Sequence, residues 1–203
     1  MILPADFSAR VRGRAQHAGV ELPPDVVDRL TTYAGLLALW NRRINLTAFN
    51  LSSPTDEAID RLLVEPVAAA SLLRREDRRV IDLGSGGGSP AVPLAVAVPS
   101  IEMTMVEVRA KKAAFLREVV RELALGARVE TATFQDVAAR TPPGDFDVVT
   151  FRAVRADGVL WGAVERLLSH TGRVLWFGGV GHTPEKWLSD VAATGTTVAL
   201  VRV

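Results

Sequence analysis

Apolar positions in the first third of the chain recur at helical spacing, whereas farther on they gather into short runs between helical stretches. After Pro23-Pro24, the residues Val26, Val27, Leu30, Tyr33, Leu36, Leu37 and Trp40 fall at i, i+3, i+4 and i+7 positions and predict an amphipathic helix. A second helix is predicted after Ser53-Pro54, capped by Thr55 or Asp56 and carrying Ile59, Leu62, Leu63, Pro66 and Val67. From Phe7 to about Leu73 every periodic segment reads as helix, and its apolar stripes read as core.

From Arg78 the pattern alternates. Val80 to Leu83, Met103 to Val106, Val129 to Ala132, Phe146 to Phe151, Arg173 to Phe177 and Thr197 to Val203 read as strands. Helices are predicted between them over Pro90 to Val98, Ala110 to Leu123, Gly158 to Leu168 and Pro184 to Ala193. Strands separated by helices require crossover connections, so the sheet is expected to be mostly parallel and covered on both faces. The expected organisation is a helical arm over 1–73 and a Rossmann-like core over 74–203. The charge run from Arg74 to Arg78 reads as a solvated linker between them.

Composition narrows the class without choosing a function. At 203 residues, 48% of them hydrophobic, the chain has material for a sizeable core. A net charge of +1 gives no global nucleic-acid signal, so any RNA contact must come from local patches. There are no cysteines, and the three histidines lack ligand spacing, so neither disulfides nor a metal site are expected. The N-terminus shows no basic and apolar leader, and the Ala91 to Val98 run is too short to span a bilayer. The chain therefore reads as a cytoplasmic monomer that does not engage membranes.

The most informative local feature is Asp82-Leu83-Gly84-Ser85-Gly86-Gly87-Gly88, where the first strand ends and a helix begins. Glycine permits positive φ and close approach of a ligand to the backbone, and the helix N-terminus adds unpaired N–H donors. Two readings compete. Gly86-Gly87-Gly88-Ser89-Pro90-Ala91 satisfies the dinucleotide spelling G-x-G-x-x-A, but it starts two residues past the strand and puts Pro90 in the turn. In tight register after the strand, Asp82, Gly84, Gly86 and Gly88 match acid-x-Gly-x-Gly-x-Gly, which resembles class I S-adenosylmethionine methyltransferases. In that resemblance the acid orients the methionine end of the cofactor and the glycines, with Ser85, let the backbone pass beneath the ribose. Glu107, at the end of the second strand, is placed to accept hydrogen bonds from ribose hydroxyls, a role both nucleotide folds use. Gln135-Asp136, after the third strand, offers a polar edge for adenine, with helix capping by Asp136 as the plainer alternative, and Phe134 beside them is a further cofactor-binding candidate.

Further motifs carry a closer resemblance. Trp40-Asn41-x-x-Ile44-Asn45-Leu46-Thr47 is similar to the W-N-x-x-I-N-L-T signature of the GidB/RsmG family. The similarity continues through Asp82 to Gly86, Pro90, Pro93-Leu94-Ala95, Lys111-Lys112-x-x-Phe115-Leu116-Arg117-Glu118, Phe146 to Val149 and Arg152-Ala153-Val154. It runs from about Leu30 to Gly179. The fold this implies is a class I S-adenosylmethionine-dependent methyltransferase, α/β and Rossmann-like, with an N-terminal helical arm. The implied activity is methylation of guanine N7 in 16S ribosomal RNA, with the RNA or the 30S subunit as partner.

N7 carries an available lone pair, so such a reaction needs positioning rather than a strong general base. Arg152 is the candidate for a catalytic base-edge contact or a cofactor contact, a structural salt bridge being the alternative. Arg42, Arg43, Asn45 and Thr47 are the favoured substrate-binding cluster. Arg10, Arg12, Arg14, Lys111 and Lys112 are further cations that suit either phosphate or solvent. Where the family carries His-x-x-Asp-Ser, this chain has Leu62-Leu63-Val64-Glu65-Pro66. Phe-Pro-Gly is replaced by Ser89-Pro90-Ala91, and Lys-Gly by Phe177-Gly178. The chain also ends on one strand where an antiparallel pair is usual. Retention on the cofactor side and change on the substrate side imply a divergent member. A methyltransferase with another target and a non-catalytic RNA- or ribosome-binding module are therefore the alternatives.

Overall fold

The computed structural model describes residues 3–155, 157–178 and 197–201. Its centre is a six-stranded sheet in the order β3-β2-β1-β4-β5-β6. The strands are β1 (Arg79–Leu83), β2 (Glu102–Val106), β3 (Ala127–Glu130), β4 (Phe146–Arg152), β5 (Leu168–Phe177) and β6 (Thr197–Leu200). Every neighbouring pair is parallel, including β5 with β6. The chain builds outward from β1 through β2 to β3, then returns to lay β4 on the other side of β1. The carboxyl ends of β1 and β4 therefore flank the topological switch point, where open α/β sheets bind ligands.

Alternation along each strand feeds two apolar layers. Val80, Met103, Met105, Val148, Leu175 and Phe177 face one cluster, while Ile81, Val106, Val149, Phe151, Val174 and Trp176 face the other. The second layer is closed by α7 (Phe134–Arg140) and α8 (Gly158–Leu167). The first layer is closed by α5 (Ala91–Ala97), α6 (Ala110–Glu122) and the arm helices α1 (Phe7–His17) and α2 (Pro24–Asn41). Phe7, Val11, Val27, Leu30, Tyr33 and Leu37 thus share one continuous core with the sheet.

Thr55 caps the next arm helix as expected, its hydroxyl accepting from the Ala58 N–H at 3.2 Å. The helix then changes form: α3 (Asp56–Ile59), a π turn (Asp60–Val64), α4 (Glu65–Ala68) and a 3-10 turn (Ala69–Leu72). Several boundaries differ from the sequence reading. β3 starts and ends two residues early, because pairing with β2 closes at Val106 and Glu130. Gln135 and Asp136 consequently sit in the first turn of α7, whose cap is Thr133. β5 begins at Leu168, with a register shift between Phe146 and Val148. The 74–78 run is not simply solvated. Asp77 is buried, accepts the Arg74 N–H at 2.7 Å and pairs with Arg173 at 3.3 Å. The helix predicted over Pro184 to Ala193 lies outside the described residues. Among the described residues no helix is long and apolar enough to cross a membrane, and no group of three metal-ligating side chains is assembled.

Candidate functional site

The switch point gathers the glycine turn, Asp82, Glu107 and Arg152. Strand register explains the acid's setting. Asp82 stands opposite Thr150 across β1 and β4, so the Thr150 hydroxyl donates to Asp82 Oδ1 at 2.6 Å. Asp82 Oδ2 is buried and has no partner among the described residues. Burial pushes the Asp82 carboxyl up to about 6, against the hydrogen bond from Thr150, the neighbouring Ser85 hydroxyl and the nearby Arg152 charge.

The turn is pinned from both sides. Gly84 and Ser85 donate their N–H groups to the Val106 carbonyl at 3.0 and 2.9 Å. Glu107, buried just past β2, accepts from the Gly86 N–H at 2.9 Å through Oε2 and from the Arg109 N–H at 2.7 Å through Oε1. Each carboxylate oxygen keeps acceptor capacity beyond its one backbone donor. Ser85 is buried and turns its hydroxyl back to the Asp82 carbonyl at 3.1 Å, so it shapes the turn. Two glycines are required in different ways. A Cβ on Gly88 (φ +92°) would meet Val92, Leu116 and Tyr33 at 2.9 to 3.4 Å, whereas one on Gly86 (φ +52°) would have only the Gly84 carbonyl, at 3.8 Å. Gly88 is needed for packing. Gly86 leaves room above the turn.

Arg152, at the end of β4, reaches back toward the arm. Its Nη2 donates to Glu65 Oε2 at 2.6 Å, its Nη1 donates to the Arg61 carbonyl, and its guanidinium lies 5.0 Å from the Phe177 ring centroid. Burial pulls its pKa down to about 10, with Glu65 opposing, so it stays charged at neutral pH. Both terminal nitrogens are therefore engaged inside the protein, which gives Arg152 the salt bridge that the sequence reading set beside its catalytic and cofactor roles. Its Nε is buried and has no partner among the described residues.

Among the described residues, one buried acceptor and one buried donor thus stand without partners at the switch point, on side chains close enough to perturb each other. An amino-acid end, with its ammonium and carboxylate, is the complementary ligand chemistry. With Glu107 for a diol and the clearance at Gly86, the residues present fit S-adenosylmethionine. Of the adenine-side candidates, Gln135 is exposed and Phe134 half-buried at the start of α7, while Asp136 is taken up by Thr133 at 2.7 Å.

The candidate substrate residues lie on the loop after α2. Arg42, Arg43 and Asn45 are exposed, whereas Thr47 is half-buried and its hydroxyl accepts from the Phe49 N–H at 3.2 Å. Asn41 fixes this loop: its Oδ1 accepts from the N–H groups of Leu46 and Thr47 at 2.8 and 3.0 Å, and its amide donates to the Thr47 carbonyl at 3.1 Å. Trp40 anchors α2 on α6, its indole N–H donating to Glu118 at 3.2 Å and its ring lying 5.8 Å from Phe115. The loop runs against the glycine turn, since a Cβ on Gly87 would stand 2.8 Å from the Leu46 carbonyl oxygen. Tyr33, fully buried, donates its hydroxyl to the Gly87 carbonyl at 2.7 Å. The other proposed phosphate-binding cations divide. Arg10 and Arg14 are held by Asp56 and Asp60, whereas Arg12 and Lys111 are exposed.

Tyr33, Asn41, Glu65 and Thr150 are the site-forming side chains that the sequence reading did not select. Asn41 stood in the signature and Glu65 in the matching acid position, but Tyr33 read as core and Thr150 as strand filler.

Comparison with known proteins agrees with this geometry. The family model described as GidB, rRNA small subunit methyltransferase G, matches residues 27–193. The chain is 36% identical over 195 residues to Ribosomal RNA small subunit methyltransferase G of Ralstonia nicotianae, covering 90% of this chain and 86% of that one. It is 35% identical over 158 residues to the protein of the same name from Syntrophotalea carbinolica, covering 77% and 71%. Among solved structures, precorrin-6y C5,15-methyltransferase of Geobacter metallireducens superposes with a TM-score of 0.54 at 18% identity over 74% of each chain, a likeness of fold.

Proposed function

Because the chain belongs to the GidB family of rRNA small subunit methyltransferases, we propose that it transfers a methyl group from S-adenosylmethionine to N7 of a guanosine in 16S ribosomal RNA. The observation that carries the cofactor half is that Asp82 Oδ2 and Arg152 Nε are both buried and without a partner among the described residues, at the switch point where Glu107 holds the glycine turn. Asp82 and Arg152 hold the amino-acid end, Glu107 the ribose, and Phe134 with Gln135 the adenine edge. When bound, the cofactor supplies an electrophilic methyl carbon on a sulfonium sulfur. Guanine N7 brings its own lone pair, so the chain's residues bind and orient and need not remove a proton. Arg42, Arg43 and Asn45, exposed on a loop packed against the turn, meet the RNA. The reaction takes place in the cytoplasm, on the RNA or the assembled 30S subunit.

A second reading keeps the cofactor and changes the target. It is favoured by Leu62, which stands where the family carries histidine and packs at the edge of the apolar core. The test is transfer of labelled methyl to 30S subunits that lack the modification, followed by mapping of methylated guanosines. Label in a guanosine of 16S RNA supports the proposal, label only in another RNA supports the second reading, and no cofactor binding overturns both.

A further inference from the structure

The arm reaches the switch point through its π turn, and Pro66 explains why the turn is there. Proline has no N–H to return to Leu62 in an α pattern or to Arg61 in a π pattern. The Glu65 N–H bonds five residues back to the Asp60 carbonyl. The carbonyls of Arg61 and Leu62 then take donors from the core: Arg61 from Arg152 and Leu62 from the Ser89 hydroxyl at 2.9 Å. The turn thereby grips both the end of β4 and the end of the glycine turn.

Glu65, the first residue after the turn, is fully buried. One of its oxygens accepts from Arg61 at 2.8 Å and the other from Arg152 at 2.6 Å. Burying such a pair contributes little net stability, because desolvation offsets most of the Coulomb attraction. It does fix direction. With Nη2 on Glu65, Nη1 on the Arg61 carbonyl and the guanidinium over Phe177, the nitrogen of Arg152 left without a partner among the described residues is the buried Nε. We propose that Glu65 is a positioning residue for the methyl transfer, acting through Arg152 to hold Nε at the amino-acid end of the cofactor beside Asp82. This rests on the cofactor reading above and extends it, because it makes the helical arm part of the cofactor site.

The test is calorimetry with S-adenosylhomocysteine on wild type, Glu65→Gln, Arg152→Ala and the double variant, with ligand-free melting recorded alongside. Glu65→Gln is expected to weaken affinity about tenfold, the scale of a hydrogen bond to a charged group. The double variant should bind no more weakly than Arg152→Ala alone, since Glu65 has nothing to position once the guanidinium is gone. Folded Glu65→Gln with affinity within twofold of wild type, or effects that multiply in the double variant, overturns the proposal. If Glu65→Gln does not fold, Glu65→Asp, which keeps the charge one methylene short, is expected to weaken affinity about threefold with the same non-additivity, and unchanged affinity there overturns it. Wild type that fails to bind overturns the cofactor reading itself, an outcome distinct from wild type binding and Glu65→Gln matching it.

Discussion

The two halves of the site are built on opposite principles. At the carboxyl ends of β1 and β4 the polar groups are buried, or in Arg152 largely so, and hydrogen-bonded to each other or to backbone: Asp82 to Thr150, Glu107 to Gly86 and Arg109, Arg152 to Glu65. On the loop after α2 the skeleton is fixed by Asn41, yet Arg42, Arg43 and Asn45 stand in solvent. The first region is a preformed cradle in which each group's position is set before a ligand arrives. The second is a fixed platform carrying long side chains whose positions a polyanion must set. Changes in the cradle should therefore give large, geometry-dependent effects on cofactor affinity, and changes on the platform smaller, salt-dependent effects on RNA affinity.

The sharpest division comes from Gly86→Val. A β-branched residue at φ +52° is strained by roughly 1–3 kcal/mol, and its side chain projects into the clearance above the turn. S-adenosylhomocysteine affinity should fall by roughly a hundredfold or more, while RNA binding in the absence of cofactor is retained. Calorimetry and filter binding on the same preparation decide it. Retained cofactor affinity would mean that the ligand does not pass over this glycine.

Next in size is Asp82→Asn, expected to weaken S-adenosylhomocysteine binding ten- to a hundredfold, roughly the value of a charged hydrogen bond. Burial raises this carboxyl from 3.8 to about 6, and an ammonium ligand requires the ionised form. Wild-type affinity should accordingly fall about tenfold between pH 7.5 and 5, a dependence the Asn variant lacks. Stability of the free protein runs the other way. A carboxyl whose folded pKa is raised contributes stability that is complete below 3.8 and is lost as pH rises through about 6, on the order of 3 kcal/mol. Urea titrations at pH 4.5 and 7.5, compared with Asp82→Asn, capture the part of that cost that accrues above pH 4.5, about 2 kcal/mol.

Legibility in the sequence follows the same division. The placement of the glycine turn, Asp82 and Glu107 at strand ends is readable because positive φ and strand-end acids leave a local imprint at fixed spacing. Thr55 was readable as a cap for the same reason. Thr150 was not, because its meeting with Asp82 depends on the register of strands 68 residues apart. Neither was the burial of Asp77, which depends on Arg173, 96 residues away. Periodicity placed Leu62 and Leu63 correctly on a helix but gave no sign of the π turn, since one inserted residue barely disturbs a short apolar stripe. Exposed arginines have the opposite limitation. Their sequence pattern admits phosphate or solvent equally, and folding does not choose between them.

Substitution of Arg42 and Arg43 together by Ala tests that choice. If these two cations meet phosphate, removing them should lower RNA affinity about tenfold at low salt and reduce the slope of log affinity against log salt by about 2. S-adenosylhomocysteine affinity should be unchanged, because Asn41 and the Leu46 backbone that meets Gly87 are untouched. An unaltered salt slope would remove these two residues from the RNA surface.

The smallest expected effect falls where cradle and platform join. Tyr33→Phe keeps the fully buried ring beside Gly88 and removes only the hydroxyl that donates to the Gly87 carbonyl at 2.7 Å. A buried carbonyl left without its donor costs about 1 kcal/mol or somewhat more. If the arm merely covers the sheet, that cost appears in urea unfolding and nowhere else. If the arm holds the cofactor turn in place, S-adenosylhomocysteine affinity also falls, by about threefold, while the RNA salt slope stays at its wild-type value. The second pattern is expected, because the hydroxyl and the Leu46 backbone meet the turn at the same residue. A loosened Gly87 loosens the Gly86 N–H that Glu107 grips, and with it the spacing between the turn and the acid proposed to hold the ribose.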